Sequence, residues 1–171
     1  MMLQPPMTTK PKVCILGLDP GLGRTGYAVL SGSISSPQLI IFGCVETNSK
    51  SIHHERLVKL TEDIKKLLIK YQPTGVALER LYFSTNVKTA LQVAEARGAI
   101  TLTISQFGCP LYEFSPQEVK IAATGEGRAD KKQVQKMLKL MFKLKEPPKP
   151  DDAADAVAVA LCGLARLSTI K

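Results

Sequence analysis

No stretch of this 171-residue chain approaches the ~18 consecutive apolar residues of a membrane-spanning helix. Residues 1–12 are polar and proline-containing and lack the apolar centre of a secretory signal; they read as a flexible N-terminal tail. Cysteine is scarce: Cys14, Cys44, Cys109 and Cys162 stand far apart, with no C-x-x-C spacing. Each lies in apolar surroundings, so buried, reduced thiols are expected rather than ligands or disulfides, in a reducing compartment, the cytoplasm. Histidine occurs twice, as His53-His54. Adjacent residues do not share a helix face, which argues against a two-histidine metal site. There is no internal repeat and no linker long enough to separate one domain from another, so residues 13–168 are expected to form one domain. Acids are the minority: 15 Asp and Glu against 23 Lys and Arg leave a net charge of +8. That balance suits a polyanionic partner, nucleic acid before membrane, although a solvated lysine face would give the same count.

What is present is a regular alternation of elements. Val13–Leu18, Gly26–Leu30 and Gln38–Glu46 read as strands joined by short turns, an antiparallel meander. Ile52–Tyr71 carries Ile52, Leu57, Leu60, Ile64, Leu67, Leu68 and Tyr71 as one apolar stripe at helical spacing. Val76–Leu78 is a short buried strand. Thr85–Phe107 reads as a long helix rich in small residues, which permit close approach to the sheet or to a second copy. Pro110–Phe114 is a further strand. Ser115-Pro116-Gln117-Glu118 has the form of a capping box with Pro at the first helical position, opening a short helix to Ala123. Asp130 with Gln133 resembles another cap, before an amphipathic helix expected over Lys131–Lys145. Asp151–Leu167 is apolar nearly all round and is expected to pack on the sheet. Three antiparallel strands leading into βαβ crossovers predict a mixed α/β sheet with helices on its faces.

Two of the apolar strands close on a carboxylate, Leu18-Asp19-Pro20-Gly21 and Leu78-Glu79-Arg80. A carboxylate at the end of a buried strand is costly without a cation. Asp152 and Asp155 share a face of the last helix. Acids in a first turn are ordinary partners of the helix dipole, and Asp151 alone would satisfy that role; Asp155, a turn further in, needs another reason. Converging acids repel one another unless cations sit between them, and oxygen donors of this kind suit Mg²⁺ or Mn²⁺. Two such ions about 3.5–4 Å apart are a recurring device for in-line phosphodiester hydrolysis. Gly21-Leu22-Gly23-Arg24-Thr25-Gly26 matches G-x-G-x-x-G, but a dinucleotide site requires a helix to begin there. A strand follows instead, so the motif reads as a hairpin turn.

Gly17-Leu18-Asp19-Pro20-Gly21 with Thr25-Gly26-Tyr27, then Leu78-Glu79-Arg80, Ala96-Arg97-Gly98, Val119-Lys120 and Asp152-Ala153-Ala154-Asp155-Ala156 fall in an order and spacing that resembles the RuvC family of bacterial Holliday-junction resolvases. The resemblance spans Val13 to Leu164. It implies a ribonuclease-H-like five-stranded mixed sheet with helices on both faces. It also implies a Mg²⁺-dependent crossover junction endodeoxyribonuclease, with two ions on Asp19, Glu79, Asp152 and Asp155 and Mn²⁺ as a substitute. Lys120 and Lys131 match family basic residues near the scissile phosphate, where a lysine stabilises developing charge. Tyr82, with Phe83 beside it, occupies the position of an aromatic that stacks on a base at the crossover, worth roughly 1–3 kcal/mol. Arg80 is expected to contact phosphate or one of the acids. A homodimer follows from the two-fold symmetry of a four-way junction, with the helix at 85–107 as its interface. The branch-migration proteins RuvA and RuvB are the implied partners.

Three other readings compete: a junction-binding module without catalysis, a ribonuclease-H-like nuclease for RNA hybrids or another nucleic acid, and an actin-like sugar kinase, whose phosphate loop also follows a strand and an Asp. The four acids argue against the first. The kinase needs a second domain, for which this length has no room.

Overall fold

The computed structural model describes residues 13–80 and 87–169; the tail expected at 1–12 lies outside them. Five strands and five helices follow one another as β1 (Cys14–Asp19), β2 (Arg24–Ser33), β3 (Ser36–Glu46), α1 (His53–Tyr71), β4 (Gly75–Glu79), α2 (Val87–Phe107), β5 (Leu111–Phe114), α3 (Pro116–Thr124), α4 (Lys131–Met141) and α5 (Asp151–Thr169). The strands form a single sheet in the order β3-β2-β1-β4-β5. β1 to β3 pair antiparallel, whereas β4 runs parallel to both β1 and β5. This is the mixed five-stranded sheet expected from the sequence.

Side-chain alternation along the strands supplies a core to each face. Leu16 and Leu18 of β1 and Val76 and Leu78 of β4 join Leu60, Ile64 and Leu68 of α1 and Ala96, Ile100 and Ile104 of α2. Ile15 and Ala77 point the other way, into a layer built by α3, α4 and α5. Each large aliphatic side chain sealed there contributes about 1.5–3 kcal/mol.

On the second face α5 lies against backbone rather than side chains. A β-carbon placed on Gly17 would stand 2.4 Å from Ala156 O and 2.5 Å from Ala160 N, and one on Gly26 would stand 1.9 Å from Asp152 O. Glycine on the strands and alanine on the helix therefore set how closely α5 approaches. The Gly-rich segment between β1 and β2 is a hairpin connection, with Asp19 paired to Gly26. Both capping boxes are present, Ser115 with Glu118 and Asp130 with Gln133.

Four expectations are corrected. β2 begins at Arg24, not Gly26. Ile52 is the N-cap of α1 and 61% exposed, outside the apolar stripe. α4 stops at Met141: Phe142 leaves the helix and packs against the α5 core, Lys143 takes a left-handed conformation (φ 52°), and Leu144 N closes the turn on Lys139 O. Of the four thiols only Cys162 is buried, where desolvation pushes its pKa up to about 12; the other three are half-buried, and all are free. The start expected at Thr85 for α2 lies outside the described residues; from Val87 the helix is as read.

Candidate active site

Asp19 and Glu79 end neighbouring parallel strands. Leu18 pairs with Leu78, so the next residue on each strand is the acid, and both emerge at one edge of the sheet. Two positions on from Gly17 and from Ala77, each shares their face, the one covered by α5. That helix begins at Asp151, directly after Pro150, and carries Asp152 and Asp155 on its first turns. The bare backbone at Gly26 brings the peptide of Asp152 hard against β2. Strand pleat, helix period and two glycines thus deliver four carboxylates to the same end of the molecule.

The electrostatics record this convergence. The Asp19 carboxyl has its pKa raised to about 7 by burial and by the negative charges of Asp155, Glu79 and Asp152. Glu79 is raised by burial and by Asp155, with Lys120 acting in the opposite sense. Asp155 is raised by burial, against the pull of Lys131. Asp19, Glu79 and Asp155 therefore each respond to another acid of the set, and Glu79 also responds to Lys120 on α3.

Protein cations border the cluster. Lys131 Nζ lies 3.0 Å from Asp155 Oδ2 and 3.3 Å from Asp151 Oδ2. Asp151 also accepts from Gln135 Nε2 at 2.9 Å. Arg80, expected near phosphate or an acid of the cluster, donates its backbone N–H to Phe114 O; the Glu118 carboxyl on α3 is lowered first by its hydrogen bonds from Ser115 and last by the Arg80 charge. Tyr82 and Phe83 lie outside the described residues.

Two arginines acquire a role only in the structure. Arg24 donates from Nε to Glu46 Oε1 at 2.9 Å and from Nη1 to Asp152 Oδ2 at 3.5 Å. The sequence holds half of its signal, since it lies inside the Gly-rich turn beside Asp19. Its partner follows from the β2–β3 register, in which Arg24 faces Glu46. Arg97 donates to the backbone oxygen of Glu79 at 3.4 Å and pairs with Glu113, tying α2 to the ends of β4 and β5.

An all-oxygen, partly desolvated set that repels itself is chemistry suited to a hard divalent cation. Among the described residues no three side chains of His, Cys, Asp or Glu gather around one point. Mg²⁺ is ordinarily held by only one or two carboxylates, with water or phosphate completing its shell.

The chain matches the family described as crossover junction endodeoxyribonuclease RuvC over residues 15–163. It is 47% identical over 148 residues to the crossover junction endodeoxyribonuclease RuvC of Petrotoga mobilis, across 86% of this chain and 91% of that protein. It is 49% identical over 148 residues to the protein of the same name from Thermosipho melanesiensis, across 86% and 94%. Thermus thermophilus RuvC, solved in complex with Holliday junction substrate, superimposes with a TM-score of 0.85 at 30% identity, covering 91% of this chain and 95% of that one. The yeast mitochondrial Holliday junction resolvase Ydc2 shares the fold, with a TM-score of 0.65 at 17% identity, over 95% of this chain and 81% of its own.

Proposed function

This chain belongs to the RuvC family, and from that premise we propose that it is a structure-selective endonuclease that resolves Holliday junctions in recombination and repair. The observation that carries the reading is the arrival of Asp19 and Glu79, at the ends of paired strands, beside the start of α5 with Asp152 and Asp155, where burial and then these acids raise the Asp19 carboxyl.

In this reading Asp19, Glu79, Asp152 and Asp155 would hold two Mg²⁺ ions. Such ions, when bound, supply an acidified water and screen charge on the departing oxygen. The protein's own groups do the rest. Asp19 and Glu79 fix the floor of the site from the sheet, and Asp152 and Asp155 close it from α5. Lys120, beside Glu79, faces the phosphate as negative charge builds on it. Lys131 steadies Asp155 and offers a second positive charge, and Arg80 meets the DNA backbone. Tyr82 or Phe83 stacks on a base at the opened crossover. The products carry 5′-phosphates.

Paired nicks require two sites related by the symmetry of the junction. The homodimer proposed for this purpose uses the outer face of α2, where Leu91 and Leu102 are 61% and 59% exposed three helical turns apart. A β-carbon on Gly98, between them, would meet nothing within 4 Å. RuvA and RuvB are the proposed partners and the cytoplasm the proposed place of action. Among the described residues no helix is long and apolar enough to cross a membrane.

The test is a substrate panel with Mg²⁺. A four-way junction should be nicked in symmetric pairs, and linear duplex and RNA–DNA hybrid left intact. Junction binding without cutting would instead identify a catalytically silent module, and preferential cutting of the hybrid would identify a different nuclease.

A further inference from the structure

Of the cations placed so far, Lys120 lies on α3, which packs beside Phe114 at the end of β5. The β2–β3 side carries a second set, at the same end of the sheet. There Thr47, just past β3, donates its hydroxyl to Leu22 O and its N–H to Gly23 O at 3.1 Å. This locks the chain after β3 onto the β1–β2 turn. Arg56, in the first turn of α1, donates from Nε to Thr47 Oγ1 at 3.0 Å. Its Nη2 lies 3.6 Å from where a β-carbon of Gly23 would stand. Gly23 precedes Arg24, which contacts Asp152.

Arg56 is half-buried and, among the described residues, pairs with no carboxylate. Arg97, equally half-buried, has Glu113. A guanidinium spends its Nε on a fixed hydroxyl here and keeps its outer N–H groups for an acceptor that the described residues do not supply. Lys50 stands on the neighbouring turn, exposed and likewise without an acid partner, where its N–H bonds Asn48 Oδ1 at 2.9 Å and Ser51 N–H closes on Asn48 O. Lys50 on the turn after β3 and Arg56 on α1, braced against that turn by Thr47, are two unneutralised cations arranged for an anion that approaches the cluster from outside.

We propose that Arg56 and Lys50 bind backbone phosphates of the nucleic-acid strand on the β2–β3 side of the cluster, across it from Lys120. This rests on the nuclease reading and extends it. The strand is then held on both flanks, so that its phosphodiester is centred over the acids. Thr47 acts as the brace that aims the Arg56 fork.

The test is fluorescence anisotropy of a labelled four-way junction, in chelator, over a series of salt concentrations. Each lost phosphate contact lowers the slope of log K against log salt by about 0.9. Arg56→Gln and Lys50→Gln should each show that loss and bind severalfold more weakly at low salt. Arg56→Lys, which keeps the charge, should recover the slope. Wild-type affinity and slope in both Gln variants would overturn the proposal. Lys50 is exposed, so Lys50→Gln alone decides if Arg56→Gln does not fold. Should the wild type show no preference for the junction over linear duplex, the proposed substrate fails separately. The slope change on either DNA still decides for or against Arg56 and Lys50.

Discussion

The ammonium of Lys131 lies 3.0 Å from the Asp155 carboxylate, reaching from the first residue of α4 to the second turn of α5. The same ammonium is 3.3 Å from Asp151. Burial works against its charge, yet bonding to Asp155 and Asp151 holds its pKa above the usual lysine value. Lys131 thus offsets some of the negative charge of the cluster. Lys131→Met removes that offset while keeping most of the volume. Nicking should fall on the order of 10²–10³-fold. Binding of Mn²⁺, followed by calorimetry, should hold or tighten, because one competitor for Asp155 is gone. Weaker Mn²⁺ binding would show that Lys131 organises the site rather than balancing it.

Asp19 is costly to the metal-free protein. Its folded pKa, about 7, lies above the ordinary 3.8 because of burial and three neighbouring acids. An acid whose pKa is raised on folding favours the fold fully only below its unfolded value. The contribution is lost as pH climbs from about 4 to about 7, and stays lost above. In chelator, Asp19→Asn should therefore be more stable than wild type at pH 8, by on the order of 1–3 kcal/mol. The difference should shrink toward zero near pH 4. Urea denaturation at several pH values measures it, and a gap that does not change with pH would contradict the argument.

Gly26 gives α5 its depth. With Asp152 O 1.9 Å from the position of a β-carbon, Gly26→Ala must push the start of α5 off the sheet. Stability should fall by roughly 1–3 kcal/mol or more, and nicking should fall further than the loss of folded protein explains, because Asp152 moves with the helix. Denaturation midpoints combined with nicking rates per folded molecule check this. Activity that simply tracks the folded fraction would place the strain elsewhere.

The outer face of α2 supplies a prediction about assembly. Leu102→Glu adds a charge to one end of the exposed strip and should leave the fold intact. Sedimentation should show a dimer turning into a monomer, and nicks on opposing strands should lose their pairing. A variant that remains dimeric with paired nicks would move the interface off α2.

Much of the site is legible in the sequence because its acids stand where local pattern is strongest. Asp19 and Glu79 each end an unbroken apolar strand, and Asp155 breaks an otherwise buried helix one turn in. The hairpin nature of the Gly-rich turn is readable from the strand that follows it. What escapes depends on register and on distant contacts. Arg24 meets Glu46 only through a β2–β3 pairing that shifts between Val29 and Leu30, and no local pattern announces such a bulge. Arg56 looks like a surface charge on an amphipathic helix and Arg97 like one on a small-residue helix; their hydrogen bonds run to the ends of other elements. The early stop of α4 goes with Phe142, which packs against the α5 core just past the helix end.

The central claim is that four acids from three separate stretches of the chain act as one site. The most direct measurement is nicking of a synthetic four-way junction with Mg²⁺ by the wild type and by Asp155→Asn, with junction affinity measured in parallel. The account predicts paired nicks from the wild type and none from the variant, at undiminished affinity. Wild-type cutting by Asp155→Asn would contradict it.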